Sequence, residues 1–351
     1  MVSKFTPPDR LTDNYQPTRE SKTEQAYHNR AVGRLNAFLT ETNCDWDLHQ
    51  TRLLTWLESY RETVSVPAWR QNRAALAWYM ESVEGEEALA NQIRAIKTDE
   101  CSEATRTSAN KKKSLGTDEW TELSTALLAS HERHLEQFGT EEGSVPMATL
   151  CFLSATETTG MRPSEWWGTV MEMESDETEP GVVLDTIVLT VKNGKASNGR
   201  ANGQNRTLRL RGLTEEKKLA LLRHYRSVKQ LSSEADFERY QKSCTSCMTY
   251  TTSKLWPTRK RKPSLYSGRH QVSANLKKDR VPLDVLAAIM GHATDRTATE
   301  HYGRRKYGRG NESMIEADPD DVSRVRQVAG ERTAPDFPGR IGAGSNGPKM
   351  G

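Results

Sequence analysis

Several short motifs, far apart in the 351-residue chain, carry side chains suited to phosphate chemistry. Thr159-Gly160-Met161-Arg162-Pro163-Ser164-Glu165 sets a guanidinium three residues before a carboxylate. Val191-Lys192-Asn193-Gly194-Lys195 offers two ammonium groups. Tyr266-Ser267-Gly268-Arg269-His270 follows, then Met290-Gly291-His292, then Tyr302. A guanidinium is a planar fork of fixed donors that fits phosphate oxygens, and an imidazole or ammonium can give a proton. A phenol is an oxygen nucleophile once it is helped past its pKa of about 10. Attack on a phosphodiester asks for all of these: charge stabilised on the non-bridging oxygens, a deprotonated nucleophile and a protonated leaving oxygen. Singly the groups say little, because an arginine at a helix start is usually a surface charge and hairpin lysines are usually solvated.

Their order gives them weight. A TGxRxxE between two helices, a strand hairpin with lysines, a second arginine followed by histidine, a Gly-His pair and then a tyrosine resemble the tyrosine recombinases of the phage-integrase type. The resemblance covers about residues 117–310. It implies that Arg162 and Arg269 clamp the scissile phosphate, that Lys192, with Lys195 as runner-up, protonates the leaving 5′ oxygen, and that His292 donates to a phosphate oxygen or packs the site. Tyr302 would be the nucleophile, and its 3′-phosphotyrosine would store the bond energy so that rejoining needs no cofactor and no metal. Glu165 matches an acidic position that orients the first arginine, and His270 a supporting one. The chain departs from the pattern twice. Tyr266 stands where a histidine is usual, which leaves the general base open. Tyr302 lies ten residues beyond His292, one more than the commonest spacing, while His301 occupies the shorter one and Tyr307 is a competitor. The Thr297-Ala298-Thr299-Glu300-His301-Tyr302 context favours Tyr302.

Such groups need a scaffold, and periodicity outlines one that is mainly α-helical with a small antiparallel sheet. Helical spacing runs over 23–40, 50–60, 69–83 behind Pro67, and 86–97, enough for a small all-helical unit. Apolar periodicity then stops, and a Thr-, Ser- and Asn-rich stretch with Lys111-Lys112-Lys113 takes over. Helices are expected again from Thr117, an N-cap candidate, and over 146–159, 215–231, 271–277 and 283–290. The β-branched run 182–191 and its counterpart 207–210 read as a hairpin with a long loop. The resulting division is a flexible tail (1–20), a helical, SAM-like core-binding domain (21–100), a linker (101–116), a catalytic domain (117–330) and a disordered tail (331–351). By resemblance this is the two-domain fold of DNA-breaking and rejoining enzymes. Four copies acting on two sites are then implied, with Pro319–Gln327 the candidate for a segment donated to a neighbour.

Composition sets outer bounds. Net charge is +3, yet Lys254–Arg309 holds 14 Lys and Arg against 4 Asp and Glu, so this segment carries +10 and the remainder −7. A basic segment of that kind neutralises phosphates. Lys111, Lys112, Lys113, Arg259, Lys260, Arg261 and Lys262 are the candidate DNA contacts. Five scattered cysteines are not a disulfide framework, and the CxxC of Cys244 and Cys247 has no second ligand pair, so packing is the better reading than zinc. His131 and His134 read as an exposed helix face, and Trp166 and Trp167 as core. No apolar run suits a membrane or a secretory signal, so a cytoplasmic, nucleoid-associated protein is expected. The expected partners are double-stranded DNA with specific sites, a homotetramer, and accessory bending or directionality factors. Alternatives are a type IB topoisomerase or telomere resolvase, and a non-catalytic DNA-binding accessory protein.

Overall fold

The computed structural model describes residues 21–44, 46, 49–102, 112, 114–179, 182–194, 201–296, 305–309 and 314–328. The chain divides into two compact units, Met1–Asn110 and Lys111–Gly351. In the first, α1 (Ser21–Thr42), α2 (His49–Thr63), α3 (Val66–Ser82) and α4 (Glu87–Ala95) surround one core. Leu35, Phe38, Leu53, Leu57, Trp69, Leu76 and Ile93 are buried there, at the spacing that gives each helix one apolar face. Pro67 lies in the first turn of α3, where a missing N–H is harmless. The Tyr60 hydroxyl accepts from Arg34 (2.9 Å) and Asn72 (3.0 Å) and so ties α1, α2 and α3 together.

The second unit is built on α6 (Val145–Thr159). Its sequence is apolar nearly all round, and such a helix is stable only when covered on every side. It is packed by α5 (Thr117–Phe138), α7 (Glu215–Lys229), α8 (Glu234–Leu255) and α9 (Leu265–Lys278). β1 (Val170–Glu179), β2 (Val182–Lys192), β3 (Asn205–Arg211) and β4 (Met314–Ala317) form an antiparallel sheet in that order. α10 (Leu283–Ile289) lies against β3 and β4, with the short α11 (Pro319–Ser323) beside it.

The expected hairpin is present as β2 and β3, but the sheet has two further strands. β1 reads Val-Met-Glu-Met-Glu-Ser-Asp-Glu-Thr-Glu, too acidic to stand out as a strand, and β4 is only four residues long. α8 escaped the helical reading because Cys, Thr and Ser dilute its stripe of Phe237, Cys244 and Met248. Helix α9 starts at Leu265 rather than near Gln271, so Tyr266, Arg269 and His270 are helical. The N-cap of α5 is Gly116, not Thr117: the Glu119 carboxylate reaches back to the Gly116 N–H at 2.9 Å. His131 is buried rather than exposed, with Nδ1 2.9 Å from Ser144 Oγ. Trp166 is buried and Trp167 packs against the same core. Pro319–Gln327 lies on its own unit: Asp321 accepts the Thr207 N–H at 2.7 Å, and Val325 joins the core. Among the described residues no helix is long and apolar enough to cross a membrane, and no group of three or more His, Cys, Asp or Glu is placed to hold a metal.

Candidate active site

The first motif explains itself locally. Helix α6 ends at Gly160, which takes φ +68°, a left-handed cap that suits glycine. A Cβ there would also stand 3.2 Å from Val272 and 3.3 Å from Met290, so α9 and the end of α10 fit closely over the turn. The chain leaves extended at Arg162, and Pro163 opens a 3-10 turn ending at Glu165. Glu165 folds back to accept the Arg162 N–H at 2.8 Å. The three-residue spacing of Arg162 and Glu165 is therefore a capping geometry, and it brings the two side chains together as an ion pair.

Glu165 is the centre of a larger cluster. Its Oε2 lies 2.8 Å from Arg206 Nη2 and 4.0 Å from Arg269 Nη1, and its Oε1 accepts from Arg206 Nη1 at 3.3 Å and from the Gly194 N–H at 3.2 Å. Arg269 comes from α9, donating to the carbonyls of Gly160 and Met290 and lying 3.1 Å from His292 Nε2. An arginine only donates, so Nε2 is the acceptor and the ring proton sits on Nδ1. Arg162, Glu165, Arg269 and His292, from different stretches of sequence, thus converge on one point. The side chains of Arg206 and Arg269 are 0% exposed and Glu165 1%, whereas Arg162 retains 11%.

Burial alone would raise the Glu165 carboxyl, but Arg206, Arg269 and Arg162 outweigh it and hold the group well below the usual carboxylate range. Burial lowers the Arg206 guanidinium while Glu165 opposes the shift. His292 is pushed down to about 2 by burial and then by Arg269, Arg162 and Arg206, so the imidazole is neutral at physiological pH.

The remaining candidates fall into four groups. Lys192 is the exposed last residue of β2, beside the buried Asn193. Tyr266 and His270 sit one helical turn apart on α9 with ring centroids 5.2 Å apart. The basic residues are partly brought together: the Lys112 N–H donates to the Lys262 carbonyl (3.1 Å), and the Lys112 and Arg259 side chains both pair with Glu119. Lys260 and Arg261 are exposed, and Lys262 reaches Ser253 Oγ at 3.0 Å. Lys111, Lys113, Lys195, His301 and Tyr302 lie outside the described residues. Sequence reasoning missed Arg206 and Asn193. A signal existed for Arg206, since strand alternation puts it on the same face as Leu208 and Leu210, all three buried. An arginine on an apolar face requires a buried anion.

No family model matches the chain, and no curated protein does. Among solved structures it is similar to the XerH site-specific recombinase bound to a palindromic difH substrate in a post-cleavage complex: 14% identity, 78% of this chain and 74% of that one, TM-score 0.44. A lambda integrase dimer bound to a core site shows 16% identity over 82% of this chain and 73% of that one, TM-score 0.39. A protelomerase covalently complexed with substrate DNA shows 17% over 79% and 86%, TM-score 0.39.

Proposed function

We propose that this chain is a tyrosine recombinase that cuts and rejoins DNA through a 3′-phosphotyrosine on Tyr302. The observation that carries the reading is the convergence of Arg162, Glu165, Arg269 and His292 from separate motifs into one cluster rich in guanidinium groups. Guanidiniums held in place before the reaction are suited to a pentacoordinate transition state, because they need no reorganisation as charge gathers on the non-bridging oxygens. Arg162 and Arg269 take that role. Neutral His292 carries its proton on Nδ1 and accepts from Arg269 at Nε2, which orients the second arginine. Lys192, or Lys195 close behind it, protonates the leaving 5′ oxygen, and the phosphotyrosine conserves the bond energy until a 5′ hydroxyl attacks. No metal or cofactor enters this scheme.

By the same reading, a helical core-binding domain and a catalytic domain act on duplex DNA with specific sites. Four copies exchange strands through a Holliday junction, and the biological setting is integration or excision of a mobile element by a cytoplasmic, nucleoid-associated protein. Nicked duplex oligonucleotides tiled across the DNA flanking the gene test it. The expected outcome is a covalent protein–DNA species that survives denaturation with the wild type and vanishes with Tyr302→Phe. Wild type that leaves every oligonucleotide free of protein overturns the reading in favour of a non-catalytic DNA-binding protein. Relaxation of plasmids lacking any specific site, with no recombinant product, would instead indicate a topoisomerase.

A further inference from the structure

The buried Arg206 is unaccounted for by the roles above. We infer that Arg206 is a positioning residue that neutralises Glu165 from behind, so that Arg162 and Arg269 keep their positive charge for a phosphate; the inference rests on the phosphoryl-transfer reading of this site.

Three observations carry it. First, all three side-chain nitrogens of Arg206 are already engaged by acceptors of the protein itself. Its Nη2 is 2.8 Å from Glu165 Oε2, its Nη1 meets Glu165 Oε1 at 3.3 Å and also Asn193 Oδ1, and its Nε donates to the Ile289 carbonyl at 3.0 Å. It therefore links the Arg162 turn, the β2 end that carries Lys192 and the α10 end that carries His292. Second, the charges matter. Glu165 paired with Arg162 alone would cancel the guanidinium the reaction needs. With Arg206 added, three guanidiniums rather than two share that one carboxylate, so the excess charge of the cluster rises from +1 to +2. Third, the neighbouring backbone is shaped around it. Gly291, at φ +64°, has no room for a side chain, since a Cβ would lie 2.7 Å from both Arg206 Nη1 and Asn193 Oδ1.

The test compares Arg206→Met, Arg206→Lys and the double variant Glu165→Gln/Arg206→Met, whose buried core has neither charge. Two readouts are taken on each folded variant: the rate of covalent complex formation on a nicked substrate, and stabilisation by inorganic phosphate against chloride at equal ionic strength. Arg162→Ala serves as the control for phosphate bound elsewhere. Arg206→Met should slow covalent attachment by about 100-fold or more, the scale on which loss of electrostatic transition-state stabilisation acts, and should abolish the phosphate shift. The double variant should regain about 10-fold or more of the rate and recover the phosphate shift, with Arg206→Lys in between. A purely structural role would leave the double variant no better than Arg206→Met, and that result overturns the inference. Wild-type phosphate binding by Arg206→Met overturns it as well. If the wild type never forms a covalent complex, the recombinase reading fails, and the phosphate readout alone decides the role of Arg206.

Discussion

Glu165 makes no bond to a substrate in the proposed chemistry, yet three guanidiniums are arranged about its carboxylate. Removing its charge takes away the carboxylate that neutralises the fully buried Arg206, which is a more severe change than losing a surface ion pair. Glu165→Gln should therefore lower the free energy of unfolding by about 3–5 kcal/mol, read from the urea midpoint at constant slope. Gly291 is the backbone counterpart. Gly291→Ala must hold a side chain at φ +64° against Arg206 and Asn193, and should cost about 1–3 kcal/mol. A Gly291→Ala variant as stable as the wild type would show that Arg206 and Asn193 can move aside.

At the level of elements, the site is assembled from ends. α6 stops at Gly160, β2 stops at Lys192, and α10 stops just before Gly291 and His292. Element ends leave unsatisfied backbone groups, and here the arginines use them: Arg269 bonds the carbonyls of Gly160 and Met290, and Arg206 that of Ile289. The frame is closed from the carboxyl side by α11. The buried Asp321 accepts the Thr207 N–H on β3, while its own carbonyl accepts from the Asn202 side chain at 2.5 Å in the β2–β3 connection. Asp321→Ala would strand the Thr207 N–H and should cost about 1–3 kcal/mol, with faster amide exchange along β3 and β4 as the measurable sign.

For the molecule as a whole, charge placement and buried histidines set the solution behaviour. Under the proposed function, the +10 between Lys254 and Arg309 in a chain of net +3 should make DNA affinity fall steeply with salt. Replacing the exposed Lys260 and Arg261 by Ala should flatten the plot of log affinity against log salt by about 0.9 for each phosphate that is no longer neutralised. Stability should depend on pH through His224, pushed down to about 3 by burial, and His292, pushed down to about 2. The unfolded chain protonates both near pH 6.5 while the folded chain does not, so stability is full above that value and is lost as pH falls below it. Between pH 7 and pH 5 the two should together cost about 4 kcal/mol. Glu165, held low, adds to the loss only below its unfolded range near pH 4.5. Urea titrations at the two pH values check the slope, and His292→Asn should remove about half of it.

Much of the site is written in local sequence because its geometry is local. The spacing of Gly160, Arg162, Pro163 and Glu165 determines a left-handed cap, an extended residue and a back-bonded carboxylate, all within one turn of chain. Helical stripes and the hairpin were legible for the same reason, since each repeats with the period of its own element. Weakly patterned elements were not: β1 is too acidic, β4 too short, and α8 too diluted with polar residues to show a period. Tertiary structure decided what depends on contact between distant segments. It buried His131 against Ser144, docked Asp321 on β3 and set Glu165 among three arginines. Arg206 lies between the two cases. The alternation of β3 points it inward with Leu208 and Leu210, but only the packed fold supplies the carboxylate that makes a buried arginine tolerable.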